Sequence, residues 1–225
     1  MIQTSGIAID HAHSKPGLFI EFAASTGEVL KLREIGLSPE VLVDDLELYY
    51  RSRLTNDFTN LDRDFDYGSM GGYYTLDEIY EHLDDLSSNY PDLVSDIQVI
   101  GSSLEGRDIW AVKLSDNVDI DEDEPEALYT GLHHAREPMS YMNLFYFMYW
   151  LVENYDTDPE ARGILDNREL WFIPAVNPDG LVYNQNISPN GGGMQRKNTR
   201  ETCLYSDDWT DWNGIDLNRN YSFNW

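Results

Sequence analysis

The sequence predicts an α/β protein: a small α+β unit first, then a longer part in which strands alternate with helices around a sheet covered on both faces. Three observations carry that prediction. Short apolar runs bounded by Gly, Pro, Asn and Asp alternate with stretches of helical spacing. A polar, acidic, Gly-rich stretch, TNDFTNLDRDFDYGSMGG, separates two such regions. The chain has 225 residues, 41% hydrophobic and 13% aromatic, which is enough apolar surface to bury a core.

In chain order, Leu18 to Phe22 reads as a strand and Gly27 to Leu32 as a short helix. Leu37-Ser38-Pro39-Glu40 marks a break, Val41 to Val43 a second strand, and Asp44 to Leu54 a helix with Leu46, Leu48, Tyr49 and Leu54 at helical spacing. Residues 1–60 form the small domain and 61–72 a linker. Residues 73–225 form the larger part. There, Thr75 and Glu78 have capping-box spacing ahead of a helix that sets Leu76, Ile79, Leu83 and Leu86 on one face and stops at Pro91. Ile97–Ile100 and Ile109–Leu114 flank the turn Leu104-Glu105-Gly106-Arg107 as strands, and Ala127–Leu132 is the next. Met139–Tyr155 is a long buried helix, and Asp158-Pro159-Glu160 opens another with Pro in its first turn. Leu170–Val176 is the last strand, and Asn177-Pro178-Asp179-Gly180 reads as a turn.

Composition removes some functions. The formal net charge is -26, which argues against a nucleic-acid partner, since phosphate binding needs clustered Lys and Arg. The longest apolar stretch, Met139 to Val152, is too short to span a bilayer, so no membrane partner is expected. No basic segment followed by an apolar one opens the chain, so no signal peptide is visible. The single cysteine, Cys203, has no partner within the sequence.

The chemistry sits in Gly131-Leu132-His133-His134-Ala135-Arg136-Glu137-Pro138. His134 and Glu137 are spaced to share one face of a helical turn, and His133 could substitute. The preceding strand would deliver them to the carboxyl edge of the sheet, where open α/β sheets bind ligands. A catalytic zinc site takes three protein ligands and leaves one position for water. Alone, a His-x-x-Glu pair is more often ordinary structure. Two further constellations accompany it. Arg196-Lys197-Asn198 offers a guanidinium for an oxyanion. Asp216-Leu217-Asn218-Arg219-Asn220 offers a fork for a carboxylate.

Together GLHHARE, NPDG, RKN and DLNRNYSFNW resemble, in order and spacing, the zinc carboxypeptidases of the carboxypeptidase A and T type, most closely the bacterial T group. EGRDIWAVKLSDN and DEDEPEALYTGLHHARE add to the resemblance, which covers residues 73–225. It implies a partial mixed-sheet α/β/α zinc carboxypeptidase domain, with residues 1–60 as an inhibitory, propeptide-like α+β domain. It implies Zn2+ bound by His134 and Glu137, Arg136 in the substrate groove, Arg196 polarising the scissile carbonyl, and Asn218 and Arg219 holding the terminal carboxylate. The expected partners are peptide or protein C-termini, the expected state a monomer, and the expected location extracellular. One departure is Gly193, where family members often carry a basic residue, which puts secondary binding along the groove in doubt.

The family's third zinc ligand is a His downstream of the Asn-Arg pair, followed by a general-base Glu. The five histidines here are His11, His13, His82, His133 and His134. The expectation is therefore the first half of a carboxypeptidase zymogen, inactive by itself, with Cys203 pairing outside the chain as it often does in relatives. The acidic run Asp121-Glu122-Asp123-Glu124-Pro125-Glu126 reads as a solvated loop or, from the resemblance, as a Ca2+ site using Asp121, Glu122, Glu124 and Glu126. The competing functions are a deacylase or cell-wall amidase on the same scaffold, and a non-catalytic peptide-binding module.

Overall fold

The structure, a computed structural model, describes residue 7 and residues 12–52, 65–202 and 214–222. The start of the expected linker, residues 61–64, and Cys203 lie outside the described residues. The chain divides into two units, Met1–Leu46 and Glu47–Trp225.

In the first unit, strands β1 (His13–Lys15) and β2 (Phe19–Glu21) pair antiparallel, with His13 opposite Glu21. The turn between them uses Gly17 at φ 77°. Helix α1 spans Thr26–Glu34. Its cap is reciprocal: Ser25 Oγ accepts from the Glu28 amide at 3.3 Å, and Glu28 Oε2 accepts from the Ser25 amide at 2.8 Å. Helix α2 (Leu46–Arg51) straddles the boundary and is shorter than the expected Asp44–Leu54. The strand expected at Val41–Val43 is not formed. Val41 and Leu42 are 45% and 62% exposed, and between Pro39 and Asp44-Asp45 the run finds no partner among the described residues.

In the second unit, helix α3 spans Leu76–Asn89 behind the expected Thr75–Glu78 box, with Glu78 Oε2 accepting from the Thr75 amide at 2.7 Å. Its buried face is the expected Leu76, Ile79, Leu83 and Leu86. Each such side chain contributes about 1.5–3 kcal/mol on burial. Strands β3 (Gln98–Ser102), β4 (Asp108–Leu114) and β5 (Glu126–Thr130) come next. Then follow helices α4 (Met139–Asn154) and α5 (Pro159–Leu165), strand β6 (Glu169–Ile173) and helix α6 (Pro178–Ile187).

The sheet is mixed, in the order β3-β4-β6-β5. β4 pairs antiparallel with β3 and β6, while β5 and β6 run parallel, joined through α4 and α5. β6 shows no inside–outside alternation: Glu169, Leu170 and Phe172 are all buried, as an inner strand covered on both faces requires. α4 is apolar nearly all round. Tyr141, Met142, Phe145, Met148, Leu151 and Val152 are buried, and Leu144, Phe147, Tyr149 and Trp150 are packed against the same core.

The segment Asn177-Pro178-Asp179-Gly180 corrects the sequence reading. It is the start of α6 and not a free turn. Asn177 caps the helix by accepting from the Gly180 amide at 3.1 Å, and Pro178 takes the first position, where no N–H is needed. Asn and Pro are turn formers and helix starters alike; the helical run after them decides between the two.

Candidate metal centre

Strand β5 hands the chain to the site through Gly131. Its amide donates to Ile173 O at 2.9 Å, and a Cβ there would lie 2.7 Å from Pro174 O, so only glycine fits. Leu132 follows in the left-handed region at φ 56°, the one described non-glycine residue with positive φ. That conformation costs on the order of 1–3 kcal/mol and is held by burial and by the Leu132 amide donating to Ser140 Oγ at 2.9 Å. It turns the chain so that His133 to Glu137 leave the sheet edge as a tight turn, closed by the Glu137 amide donating to His134 O at 3.0 Å. The His-x-x-Glu pair therefore stands on an isolated turn ahead of α4, not on a helix, because Leu132 and Pro138 interrupt the backbone on either side.

His134 is buried at 4% exposure, whereas the Glu137 side chain is 44% exposed, so the pair faces outward from a buried imidazole. His134 Nδ1 lies 3.1 Å from both carboxylate oxygens of Glu137. Its other nitrogen, Nε2, lies 3.0 Å from Asp216 Oδ1. A ring that donates from Nε2 to Asp216 turns its Nδ1 lone pair toward Glu137. A lone pair facing a carboxylate is repulsive unless a proton or a cation lies between them. One imidazole nitrogen and two carboxylate oxygens are also donors that zinc takes. The residues thus fit a zinc ion, which His134 and Glu137 would hold. Among the described residues no third ligand atom converges with them.

Arg196 closes the far side. It is buried at 8% exposure, its Nε and Nη2 each lie 3.1 Å from Asp216 Oδ2, and its Nη1 lies 3.5 Å from Glu137 Oε1. Asp216 thereby binds the imidazole with one oxygen and the guanidinium with the other. Burial alone would raise its carboxyl pKa. The hydrogen bond from His134 and the Arg196 charge outweigh that and hold it below the usual carboxylate range. Asp216 also caps the 3₁₀ turn Leu217–Arg219, accepting from the Asn218 amide at 2.9 Å. Asn218 and Arg219 follow on that turn with exposed side chains, next to the site, and Arg136 lies half-buried on the ligand turn itself.

His134, Glu137 and Arg196 are thus brought together, with Asn218 and Arg219 tethered to them through Asp216. Asp216 is the functional residue that sequence reasoning missed; it appeared only as the first letter of a motif. Its signal was an acidic cap two residues ahead of the Asn-Arg pair. Gly193, noted as a departure, has a local reason: a Cβ there would lie 2.6 Å from the Asn184 side chain.

The acidic run behaves differently. Asp121 and Glu126 join Glu169 of β6, not Glu122 and Glu124, in a group whose oxygens lie within 4.8 Å of one another. The Glu122 side chain accepts from Asn117 Nδ2 at 3.1 Å instead. Glu124 stands apart, its carboxyl pushed up by partial desolvation and by repulsion from Glu122, Asp116 and Glu169. Glu169 already holds a cation: Lys113 Nζ is 3.1 Å away, and both side chains are almost fully buried.

The zinc carboxypeptidase family model, peptidase M14, matches residues 79–225. The chain belongs to the zinc carboxypeptidase family. It is 35% identical over 198 residues to a zinc carboxypeptidase of Saccharothrix mutabilis subsp. capreolus, covering 86% of this chain and 43% of that protein. It is 31% identical over 193 residues to carboxypeptidase A1 of Rattus norvegicus, covering 83% and 42%. The fold matches carboxypeptidase A from Helicoverpa armigera with a TM-score of 0.65 over 86% of this chain and 45% of that one; at 24% identity that likeness speaks for the fold. The chain spans less than half the length of each of these zinc carboxypeptidases.

Proposed function

We propose that this chain forms the zinc-ligand and substrate-carboxylate side of a metallocarboxypeptidase that removes C-terminal residues from peptides. The observation that carries the reading is the convergence of His134, Glu137, Arg196 and Asp216 at the carboxyl edge of β5. Zinc, when bound, polarises a carbonyl and lowers the pKa of a coordinated water toward 7. His134 and Glu137 would hold it, and Asp216 keeps the imidazole turned so that Nδ1 faces Glu137. Arg196, immobilised by Asp216, supplies a fixed positive charge for the oxyanion that develops on the scissile carbonyl, with no reorganisation needed at the moment of reaction. Arg219, with Asn218, receives the terminal carboxylate, and Arg136 lines the groove. Internal peptide bonds bring no carboxylate to that fork, which restricts cleavage to chain ends.

The same reading includes secretion, a monomeric state, and a zymogen in which residues 1–60 are inhibitory. In support, Met1–Leu46 forms a compact unit of its own. Within the larger unit the Phe65 ring lies against Tyr74, Tyr146 and Tyr149. It also includes a calcium ion at Asp121, Glu126 and Glu169, whose carboxylate oxygens lie within 4.8 Å of one another.

Zinc titration of the chain by calorimetry tests the core of the proposal. One ion per chain is expected, bound more weakly than at a three-ligand site and lost in His134→Ala; binding unchanged by that substitution refutes the ligand assignment. For the clamp, Arg219→Ala in the full-length enzyme should cost about 2–5 kcal/mol of discrimination between a peptide and its C-terminal amide, measured as binding or turnover. Equal discrimination in the variant removes Arg219 from the role.

A further inference from the structure

Helix α6 turns two buried asparagines toward the segment that ends in Arg196. Asn177 and Asn184 lie on one face, two turns apart, and are 2% and 3% exposed. Asn184 behaves like a neighbouring strand: its Nδ2 donates to Gln195 O at 2.9 Å, and the Gln195 amide donates to its Oδ1 at 2.8 Å. Asn177 reaches two places at once. Its Nδ2 faces His133 O at 3.3 Å and Arg196 O at 3.5 Å, while its Oδ1 accepts from the Gly180 amide at 3.1 Å. The amide can sit only this way round, because two carbonyls lie on one side and an N–H on the other. The Ala135 amide donates to the same Arg196 carbonyl at 3.0 Å. That carbonyl is therefore gripped from α6 and from the metal-ligand turn together. The glycine of the NPDG segment makes the room: a Cβ on Gly180 would lie 2.6 Å from the Ala135 methyl and 2.8 Å from Asn177 Nδ2.

We propose that Asn177 is a positioning residue for the metal centre: its Nδ2 fixes the spacing between the His134–Glu137 turn and Arg196, while Asn184 aligns the extended segment on which Arg196 arrives. The inference deepens the carboxypeptidase reading and rests on it. Asn177 touches neither the metal nor the substrate; it acts through the backbone of both partners. Reacting groups displaced by about 1 Å can lose 100-fold in rate, so a fixed spacing between metal and guanidinium has a catalytic consequence.

The bland role for Asn177 is the cap of α6, and the two roles use different atoms. The cap uses Oδ1; the splint uses Nδ2. Asn177→Asp keeps an oxygen for the Gly180 amide and removes the donor; Asn177→Ser keeps an oxygen and replaces the two-hydrogen Nδ2 by one hydroxyl on a shorter side chain, which cannot serve the cap and reach both carbonyls. The test uses the full chain with three readouts: amide exchange at Ala135 and Gly180 without metal, thermal melting, and Zn2+ affinity by competition with a chromogenic chelator. In both variants Ala135 should exchange about fivefold faster or more, the effect of one lost hydrogen bond. Gly180 should stay protected, the melting temperature should move by less than about 4 °C, and zinc affinity should fall about tenfold. Wild-type exchange at Ala135 in both variants overturns the proposal. So does joint loss of protection at Ala135 and Gly180 with a collapsed melting temperature, which would make Asn177 a cap and nothing more. A wild-type chain that binds no zinc sinks the carboxypeptidase reading instead, and the exchange comparison still decides the splint.

Discussion

Around His134, the carboxylates of Glu137 and Asp216 share an imidazole and a guanidinium; around Glu169, which holds the ammonium of Lys113, gather the carboxylates of Asp121 and Glu126. Both groups sit beside the sheet, and both look like metal ligands when read as letters. They differ in how the charge is arranged. In the first, each acid is bound by a group whose own position is fixed, and one open, half-exposed carboxylate faces outward. In the second, the buried acid is paired internally: Glu169 holds Lys113, whose Nζ also donates to Ile120 O at 2.6 Å, so the ammonium pins the acidic loop to β4 and β6. One cluster is built to receive something. The other is built around a cation the chain already carries. Local acid density does not distinguish them; the identity of the buried counter-charge does.

The largest expected effect tests the second cluster. Glu169→Gln leaves the Lys113 ammonium, 5% exposed, without its carboxylate. Loss of one partner of such a buried pair costs about 3–5 kcal/mol, to be read by urea unfolding at neutral pH. The pH dependence follows from the carboxyl. Burial alone would raise the Glu169 pKa, but the Glu122 amide and Lys113 outweigh it, so the folded value lies below the usual range. A depressed acid contributes stability above its unfolded pKa, near 4, and loses it as pH falls through the folded value. The gap between wild type and Glu169→Gln should therefore narrow in acid. A gap that stays constant down to about pH 2 would show that the ion pair is not its source.

Next in size is Asp216→Asn, and its effect should appear in a different measurement. An amide can accept from His134 or from Arg196 but no longer carries charge for both. Zinc affinity should fall about 10–100-fold, the range for groups that orient a metal-bound histidine. Folding stability should fall by only about 1–2 kcal/mol, since the Asp216 side chain is 16% exposed and water can reach it. Should stability collapse while zinc affinity holds, the two clusters would be of one kind.

The fold was legible wherever one residue type decides an element. The Thr75–Glu78 box, the helical leucines of α3, the Pro at the start of α5 and the apolar run of α4 all stand where the spacing set them. The misses share a cause. Val41–Val43 needed a strand partner that local sequence does not contain, and the start of α6 uses the same Asn-Pro chemistry as a turn. The site was half legible. His134, Glu137 and Arg196 come from segments far apart in the chain, and their motifs announced them. Asp216 works through side chains distant in sequence, and Asn177 and Gly180 through backbone groups and space left empty, which leave no signature in the residues they serve.

The smallest expected effect bears on calcium and could still redraw the comparison. With Glu169 committed to Lys113, the loop offers an incoming ion chiefly Asp121 and Glu126, both exposed. Few ligands and an exposed position suit a weak site, with a Kd on the order of 1 mM, typical of extracellular modules. At about 2 mM calcium, mass action then adds only about 0.6 kcal/mol, or roughly 1–3 °C in melting temperature for a chain of this size. A net charge of -26 means that any salt will also stabilise the protein by screening. The control is therefore NaCl at equal ionic strength, with Glu126→Gln alongside. A rise specific to calcium and absent from the variant would make the acidic loop a second receiving site, sharing Glu169 between Lys113 and an ion. An equal rise with NaCl leaves Lys113 as the only cation the loop was built to hold.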